Sequence, residues 1–462
     1  MKNKKINRRK FLSQSLKTAA GLGVIASCDR RTIIGTDVRK PSAPLGLSKK
    51  LSKSENGEIS VILSWKPHDF TDITGAKTET SITYKVYRED VSQPIAQNLL
   101  VPTYTDKNGL EENKTYIYRV SAVDSNGNEG PLSNPLIVSI QPFVTVYRVK
   151  NTNAVPGTIS NPNINSEEVK KMVNEAIMAL TGQPTVASAW ESLFPNITTS
   201  TLIGIKINTL AGAAISTKPQ VVDAIVWGLT QMLNNTFPEY NIIVFDDRNK
   251  DDQMKKSGFP IRDEPGKYRI ATIYWNTTLN GVPITQSEPD EKKWLPAINI
   301  GGVYQRVTAL IDSLDYIINV PVLKDHSAAG ITFALKNFYG TVENPSKLHG
   351  NMCDPYISEI YNLEINGKKL KDKIRVIIGD ALLGCSVNGP PGPANIKPCS
   401  IIAGTDPVAT DTFALDIINS YRPATNQISM DTNGAARHIF TASQPPYSLG
   451  STNYSVKEII LW

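Results

Sequence analysis

Lysine, histidine and asparagine side chains that could do chemistry crowd one short stretch of the chain. Lys324 and His326 follow an apolar run, 316–320, that has the composition of a buried strand and ends before Pro321. Lys336 and Asn337 follow in a helix-like stretch, 332–338. Ammonium groups bind carboxylates and phosphates, and an imidazole carries protons near neutral pH.

This turn predicts a site for a small anionic ligand, with Lys324, His326 and Lys336 as the candidate catalytic residues and Asn337 as a ligand contact. A lysine among other cations loses pKa and can act as a base or a nucleophile. For His326 the alternative is a histidine whose hydrogen bonds are satisfied by capping the turn.

Other apolar runs also end in polar residues. Lys206 and Asn208 end the run 202–208, Asp380 follows the run 374–378, and Asp406 follows the run 400–403. In doubly wound sheets, ligands bind beyond the carboxyl ends of the strands. We therefore expect these four residues to contribute ligand contacts at the same crevice. Strands must end in polar residues in any case, so each residue taken alone can be structural.

The segment 347–354 holds a possible metal site. His349, Cys353 and Asp354 offer nitrogen, sulfur and oxygen ligands that suit a divalent metal. Their spacing is not that of a known metal knuckle. His438, near the end of the chain, is expected at the surface.

The first 28 residues resemble an export signal. Arg8 and Arg9 precede Phe11, an apolar stretch (18–27) too short to span a bilayer follows, and Cys28 comes directly after a small residue. The pattern is similar to a twin-arginine signal (1–27) that ends in a lipobox. It implies export to the periplasm or cell surface by the twin-arginine translocation machinery, lipidation at Cys28 and anchoring to a membrane. The alternative is a basic disordered tail with an ordinary cysteine.

Charge and cysteine content exclude several classes of protein. The net charge is +6, but residues 1–27 hold seven lysines and arginines and no acid, so the remainder is about −1. The composition therefore gives no sign of nucleic-acid binding. Four cysteines are too few and too scattered for a disulfide-framed fold. Cys385 and Cys399 are the nearest pair and are either bridged or buried as thiols.

The chain is long enough for two folded domains. After a polar tether (28–40), residues 41–142 show alternating β segments separated by polar turns, and they resemble a fibronectin type III module. The resemblance implies an all-β sandwich with Trp65 in its core and Tyr116 with Leu110 at a tyrosine corner.

Residues 143–462 alternate strand-like and helical runs, which predicts an α/β domain with a mostly parallel sheet covered by helices on both faces. Its core, about 201–419, resembles the domain-of-unknown-function 362 family. The matching positions are Lys206-Ile-Asn208, Lys324-Asp-His326, Gly330-Ile-Thr332, Lys336-Asn337, Asp380, Gly389-Pro390 and 403–411. Asp325 stands where a small hydroxyl residue is more usual.

These observations favour an exported, lipid-anchored protein whose enzyme-like α/β domain binds a small carboxylate or phosphate ligand. A divalent metal or a cofactor loaded before export is compatible with this interpretation. The alternative is a non-catalytic surface receptor or scaffold whose β-sandwich contacts a glycan or a protein partner.

Overall fold

The computed structural model describes residues 38–54, 56–77, 80–246, 251–273, 277–279, 282–284 and 294–462. The arginine pair, Cys28 and the first part of the tether lie outside these residues. Within the described ranges, no helix has both the length and the apolar character needed to cross a bilayer.

The N-terminal part is built from strands alone. Its strands are β1 Ser48–Lys53, β2 Ile59–Ser64, β3 Ile82–Arg88, β4 Ala96–Leu99, β5 Thr103–Asp106, β6 Lys114–Asp124 and β7 Leu136–Ile140. They form a three-stranded sheet, β1-β2-β5, and a four-stranded sheet, β4-β3-β6-β7. Buried residues alternate along β3 and β6, as expected for strands with one face toward a core. We call this part the β-sandwich.

Aromatic residues fill the core of the β-sandwich. Trp65 is buried and meets Tyr84 edge to face, with ring centroids 5.2 Å apart. The Tyr116 hydroxyl donates to Gly109 O at 3.0 Å and accepts from Glu111 N at 3.0 Å. The Tyr116 hydroxyl thus binds the loop before β6 to that strand.

The strands after residue 143 form one large sheet and several small two-stranded hairpins. The strands are β8 Val144–Lys150, β9 Ile203–Lys206, β10 Ile242–Asp246, β11 Arg269–Thr272, β12 Thr277–Leu279, β13 Val282–Ile284, β14 Ile298–Ile300, β15 Val303–Gln305, β16 Tyr316–Asn319, β17 Val322–His326, β18 Gly330–Thr332, β19 Glu364–Ile365, β20 Lys368–Lys369, β21 Ile374–Cys385, β22 Ser400–Gly404 and β23 Tyr454–Ile460. The large sheet runs β11-β10-β9-β16-β21-β22-β8-β23, with β17 paired to β21 and β18 paired to β17.

This sheet is mixed, and six of its nine described strand pairs are parallel, in agreement with the expectation of a mostly parallel sheet. The strands from β11 to β21 are parallel neighbours, whereas β22 is antiparallel to both β21 and β8. The connection 386–399 between β21 and β22 contains no helix. Without a crossover helix the chain returns as an antiparallel neighbour.

Helices contribute to the core on each face of the sheet. They are α1 Ser166–Thr181, α2 Val186–Leu193, α3 Pro219–Thr230, α4 Asp251–Lys256, α5 Leu310–Ser313, α6 Tyr356–Tyr361, α7 Leu370–Lys373, α8 Pro407–Ser420 and α9 Arg437–Ser443. Ile242 and Val244 of β10 pack in one apolar cluster with α1, α2 and α3, while Ile243 and Phe245 pack in the other with α6, α8 and α9. This alternation follows from the two-residue period of a strand.

The stretch around Lys324 differs from its predicted form. The polar segment expected after the first strand is itself a strand, β17, and it forms a hairpin with β18. The helix expected at 332–338 is a 3₁₀ turn, Lys336–Thr341. Gly330 opens β18 with φ 70°, and a Cβ there would lie 2.8 Å from Ala436 N. The hairpin therefore places the chain before Lys336 directly against the segment leading to α9.

Candidate functional site

Lys206 forms a buried ion pair with a neighbouring acid. It ends β9 beside the end of β10, and its Nζ lies 2.5 Å from Asp246 Oδ1. The same Nζ donates to Ile207 O at 2.8 Å. The second carboxylate oxygen of Asp246 accepts from Thr209 N and Thr209 Oγ1 at 2.6 and 2.7 Å. Both charges are buried, and the pair ties β9, β10 and the following loop together.

A chain of amides joins the strand ends to the 3₁₀ turn. Asn208 Nδ2 donates to Asn337 Oδ1 at 3.1 Å, and Asn337 Nδ2 donates to Asn319 Oδ1 at 2.8 Å. Asn319 ends β16 in register with Lys206. Sequence reasoning missed Asn319, although a polar residue inside the apolar run 316–320 was the available signal. Asn208 and Asn337 therefore bind other amides and orient the network.

Lys324 is fully buried without an acid as its hydrogen-bond partner in the described part of the chain. Its Nζ donates to Asn208 Oδ1 at 2.8 Å and to Leu210 O at 2.9 Å. Burial lowers the pKa of this lysine to about 7; the charge of Asp246 opposes the shift and that of Lys336 adds to it. A substantial fraction of the Lys324 side chain is therefore the neutral amine near neutral pH.

Lys336 is a second buried lysine in the same cluster. Its Nζ lies 3.4 Å from His349 Nε2 and 4.1 Å from the centroid of the Tyr339 ring. Burial lowers the pKa of Lys336 to about 8, and Cys353 opposes the shift. Its contacts are therefore with an imidazole and an aromatic face.

His326 caps its turn, which is the alternative considered for it beside a catalytic role. Its Nδ1 accepts from Ala328 N at 3.0 Å and from Ala329 N at 3.2 Å, so it caps the β17–β18 turn. An accepting Nδ1 leaves the proton of the neutral ring on Nε2. Burial lowers the pKa of His326 to about 2, and the charge of Lys336 adds to that effect. The ring stacks on His349 with centroids 5.4 Å apart.

His438 is buried, which corrects the expectation of a surface residue. The residue is fully buried in α9, and neither of its ring nitrogens has a hydrogen-bond partner among the described residues. Burial lowers its pKa to about 3, with Lys336 adding to the shift. The available sequence signal was helical spacing, because His438 lies four residues before the buried Ala442.

The metal prediction is not supported by the geometry. His349 Nδ1 lies 2.8 Å from Pro345 O, while Asp354 Oδ2 lies 3.4 Å from Arg437 Nε and accepts from Thr441 at 3.1 Å. Cys353 is a buried thiol beside Tyr339. Among the residues that the structure describes, no three His, Cys, Asp or Glu side chains form a group that could hold a metal ion. His349, Cys353 and Asp354 are near in sequence, but each is directed to a different neighbour.

The carboxylates at the strand ends bind backbone amides. Asp380 Oδ2 accepts from Lys218 N at 2.8 Å, just before α3. Asp406 caps α8 by accepting from Ala409 N at 2.8 Å, and its other oxygen accepts from Ser451 N at 2.9 Å. Burial raises the pKa of both acids. The contacts of Asp380 and Asp406 are therefore those of structural acids, in place of the ligand contacts expected for them.

Asp411 holds the chain that leads to Lys336. Its two carboxylate oxygens accept from Ala334 N at 2.6 Å and from Leu335 N at 3.2 Å. Burial raises the pKa of Asp411 to about 8, against the two amide bonds, which favour the charged form. The acid thus fixes the start of the 3₁₀ turn from α8.

Asp325 and the remaining thiols lie at the edge of the cluster. Asp325 Oδ1 accepts from Gly389 N at 2.7 Å, and its Oδ2 lies 3.6 Å from Arg422 Nη1. Its charge is therefore directed to the 386–399 connection. Cys385 and Cys399 are buried free thiols, which settles the choice between a bridge and two thiols for this pair.

The structure thus brings together Lys324, Lys336, His326, His349 and the unexpected His438, which we call the lysine–histidine cluster. Its members are linked by contacts or by mutual electrostatic effects. Two lysines of lowered pKa beside imidazole rings can bind an anion, move protons, or attack an electrophile.

Comparison with known proteins places four of the five members of this cluster within one family match. Residues 203–416 match the sequence model of the family described as Domain of unknown function (DUF362), which supports the resemblance seen in the sequence. The lysines, His326 and His349 lie inside the matched range, and His438 lies beyond it.

Other likenesses cover small parts of the chain. An amylopullulanase of Thermoanaerobacter thermohydrosulfuricus is 32% identical over 138 residues, which are 28% of this chain and 8% of that protein. The structure titled "Structure of FN3tt mut" is 20% identical, and the match covers 22% of this chain and 98% of that chain, with a TM-score of 0.16. A β-1,2-glucanase from Parabacteroides distasonis is 22% identical, covers 32% of this chain and 16% of its own, and has a TM-score of 0.17. Structural likenesses at these scores carry no argument about function.

Proposed function

We propose that the α/β part of this protein binds a small anion, a carboxylate or a phosphate, at Lys324 and Lys336. The observation that carries the proposal is that neither buried ammonium group has an acid as hydrogen-bond or ion-pair partner among the described residues. A buried charge without a counter-charge is costly, so a bound anion would supply what the fold omits.

The neighbouring groups predict that binding of an anion is coupled to proton uptake. Near pH 7 Lys324 is partly neutral, and an anion beside it raises the lysine's pKa because it favours the charged form. Binding would therefore draw protons from solution. His326 adds a neutral Nε2–H donor to the same cluster.

The test is calorimetric titration of the whole chain with inorganic phosphate and, separately, with oxalate. It is run at pH 7.5 in two buffers of different ionisation enthalpy. We expect saturable binding with proton uptake, and at least about tenfold weaker binding for Lys324→Met, in line with the loss of one charge-assisted hydrogen bond. Lys368→Met, which removes an exposed lysine from the β19–β20 hairpin, is the control and should bind as the parent does. Binding that Lys324→Met leaves intact would contradict the proposal.

The proposal includes the cellular context implied by the leader. We propose that the protein is exported by the twin-arginine route and anchored through Cys28. The β-sandwich, in our proposal a fibronectin type III module, would act as a spacer between the anchor and the α/β part. The two-sheet arrangement and the contacts of Tyr116 support that assignment.

A further inference from the structure

We propose that Lys336 is a covalent nucleophile: it forms an imine with the carbonyl group of a small anionic substrate, such as a 2-oxo acid, and His349 accepts its proton. This inference rests on the proposed anion site and narrows its substrate class. In it, Lys324 holds the anionic group of the substrate and Lys336 attacks the carbonyl carbon.

The tautomer of His349 makes it a base directed at Lys336. His349 Nδ1 lies 2.8 Å from Pro345 O, and a carbonyl oxygen only accepts, so Nδ1 carries the proton. The lone pair of the neutral ring is then on Nε2, which lies 3.4 Å from Lys336 Nζ. This is the arrangement of an activated nucleophile: an attacking group, a base, and a third group that orients the base. The contact is long for a hydrogen bond, as such contacts often are before a substrate binds.

Tyr339 holds both partners in place. Lys336 Nζ lies over its ring at 4.1 Å, and the His349 ring meets it edge to face at 5.4 Å. The Tyr339 hydroxyl donates to Leu348 O at 2.8 Å, which fixes the ring beside the segment that carries His349. The dyad is therefore positioned by packing as well as by hydrogen bonds.

Access distinguishes Lys336 from Lys324. Lys336 retains 6% of its surface exposed, whereas Lys324 has none. Lys324 also donates two short hydrogen bonds, so its amine is directed by the protein. Lys336 contacts only a base and an aromatic face among the partners seen in the structure. Lys336 is also the lysine that lies next to partly exposed His349.

The step balances without an oxidant or reductant. Lys336 gives a proton to His349 Nε2, and its lone pair then forms a bond to the carbonyl carbon while the C=O π electrons move to oxygen. That oxygen takes the proton back from His349, giving a carbinolamine. His349 then takes a second proton from the carbinolamine nitrogen and gives it to the hydroxyl, which leaves as water while the released nitrogen lone pair forms C=N. The sum is an ammonium and a carbonyl giving a protonated imine and one water.

The experiment traps this imine on the full-length chain. The protein is incubated with glyoxylate and sodium cyanoborohydride from pH 6 to 10, and the modified lysines are mapped by peptide mass spectrometry. We expect Lys336 to be labelled first, with its rate rising to half of its maximum near pH 8, the pKa to which burial lowers it. The exposed Lys347 is the internal control, and it should be labelled more slowly than Lys336 near pH 8.

A variant of His349 tests its role as a base separately from its structural role. His349→Asn keeps an N–H that can reach Pro345 O but lacks the Nε2 lone pair. It should slow labelling of Lys336 at pH 7 by about a hundredfold or more and leave Lys347 unchanged. Equal rates in the parent and in His349→Asn would overturn the role of His349.

Failure of this inference differs from failure of the anion site. Phosphate binding that depends on Lys324, with no label at Lys336, overturns the imine and leaves the proposed function standing. Label at Lys336 that excess phosphate does not slow, together with no calorimetric binding, overturns the anion site. Since trapping is read on the parent protein, the test does not depend on any variant folding.

Discussion

Three lysines at the carboxyl edge of the sheet have different electrostatic surroundings. Lys206 pairs with Asp246 at 2.5 Å and is a structural cation. Lys324 donates to an amide and a carbonyl, and Lys336 faces an imidazole and a ring. A lysine buried without an acid lowers the cost of its burial by giving up its proton. Lys324 and Lys336 have no acid partner among the residues that the structure describes, and they are therefore the two suited to reversible chemistry.

Replacing Lys324 should change how the free energy of unfolding depends on pH. Below pH 7 both the folded and the unfolded chain hold a proton on Lys324; between about 7 and its ordinary value of 10.5 only the unfolded chain does. The lysine's contribution to the free energy of unfolding therefore rises with pH in that window, by at most about 1.4 kcal/mol per pH unit. Lys324→Met should lack this rise.

Urea unfolding of the parent and of Lys324→Met from pH 6 to 10, without added anions, measures the difference. Lys368→Met again serves as the exposed control. Parallel profiles for the parent and Lys324→Met would show that Lys324 keeps an ordinary pKa in the folded protein.

At the scale of the elements, acids fix the loops that carry the cations. Asp380 binds the amide before α3, Asp406 caps α8, and Asp411 of α8 binds two amides just before the 3₁₀ turn of Lys336. Such bonds satisfy donors that would otherwise be buried and unpaired. Many of the polar residues at this edge thus build the site without facing its ligand.

Removing Asp411 should loosen the turn that holds Lys336. Asp411→Ala leaves the amides of Ala334 and Leu335 without their acceptor, which should cost about 1–3 kcal/mol of unfolding free energy. Hydrogen exchange of those two amides should accelerate more than exchange elsewhere. The exposed Asp372→Ala is the control, with a change within about 0.5 kcal/mol. Unaltered exchange at both amides would rule out this role for Asp411.

At the scale of the whole molecule, the β-sandwich and the large sheet are joined by a short connection. Only residues 141–143 separate β7 from β8, and Gln141 O and Pro142 O accept from Asn453 Nδ2 and Ser451 Oγ at 2.8 and 3.1 Å. Lys50 of β1 also pairs with Asp416 of α8 at 2.9 Å. The β-sandwich nevertheless has an apolar cluster of its own.

A fragment of residues 41–142 should therefore fold alone as an all-β unit. Trp65→Ala should destabilise it by about 3–5 kcal/mol, because it empties a buried position against Tyr84. Circular dichroism and urea unfolding of the fragment test both statements. A helical spectrum, or a Trp65→Ala fragment as stable as its parent, would refute an independent domain.

Export and anchoring are tested at the leader, which lies outside the described residues. Arg8→Lys together with Arg9→Lys should retain the precursor inside the cell, because the proposed signal is read through that pair. Cys28→Ala should release a soluble form, since it removes the proposed lipidation site. Fractionation of cells expressing each variant measures this. A Cys28→Ala protein that still sediments with membranes excludes lipidation at Cys28.

Local patterns in the sequence predicted much of the architecture. The apolar runs near 203, 242, 316, 374 and 400 are strands, because a short continuous apolar run is typical of a strand buried on both faces. The apolar stripe after Pro219 has helical spacing and is a helix. The strand-end rule also led to Lys324, His326 and Lys336, which lie in one cluster.

Only the tertiary structure decided which charges are partnered and which are exposed. Lys206 and Lys324 look alike in sequence, and the difference between them is that Lys206 forms the ion pair with Asp246, whereas Lys324 donates to Asn208 and a backbone carbonyl. Folding places His438 of α9 near Lys336, so that it belongs to the cluster. Folding also directs His349 to Lys336 and not to the predicted metal group. The sequence by itself therefore determined the strands, the helices and the chemical types at the sheet edge. Hydrogen bonding and desolvation depend on neighbours brought together by folding, so the identity of the partnered and unpartnered groups was decided only there.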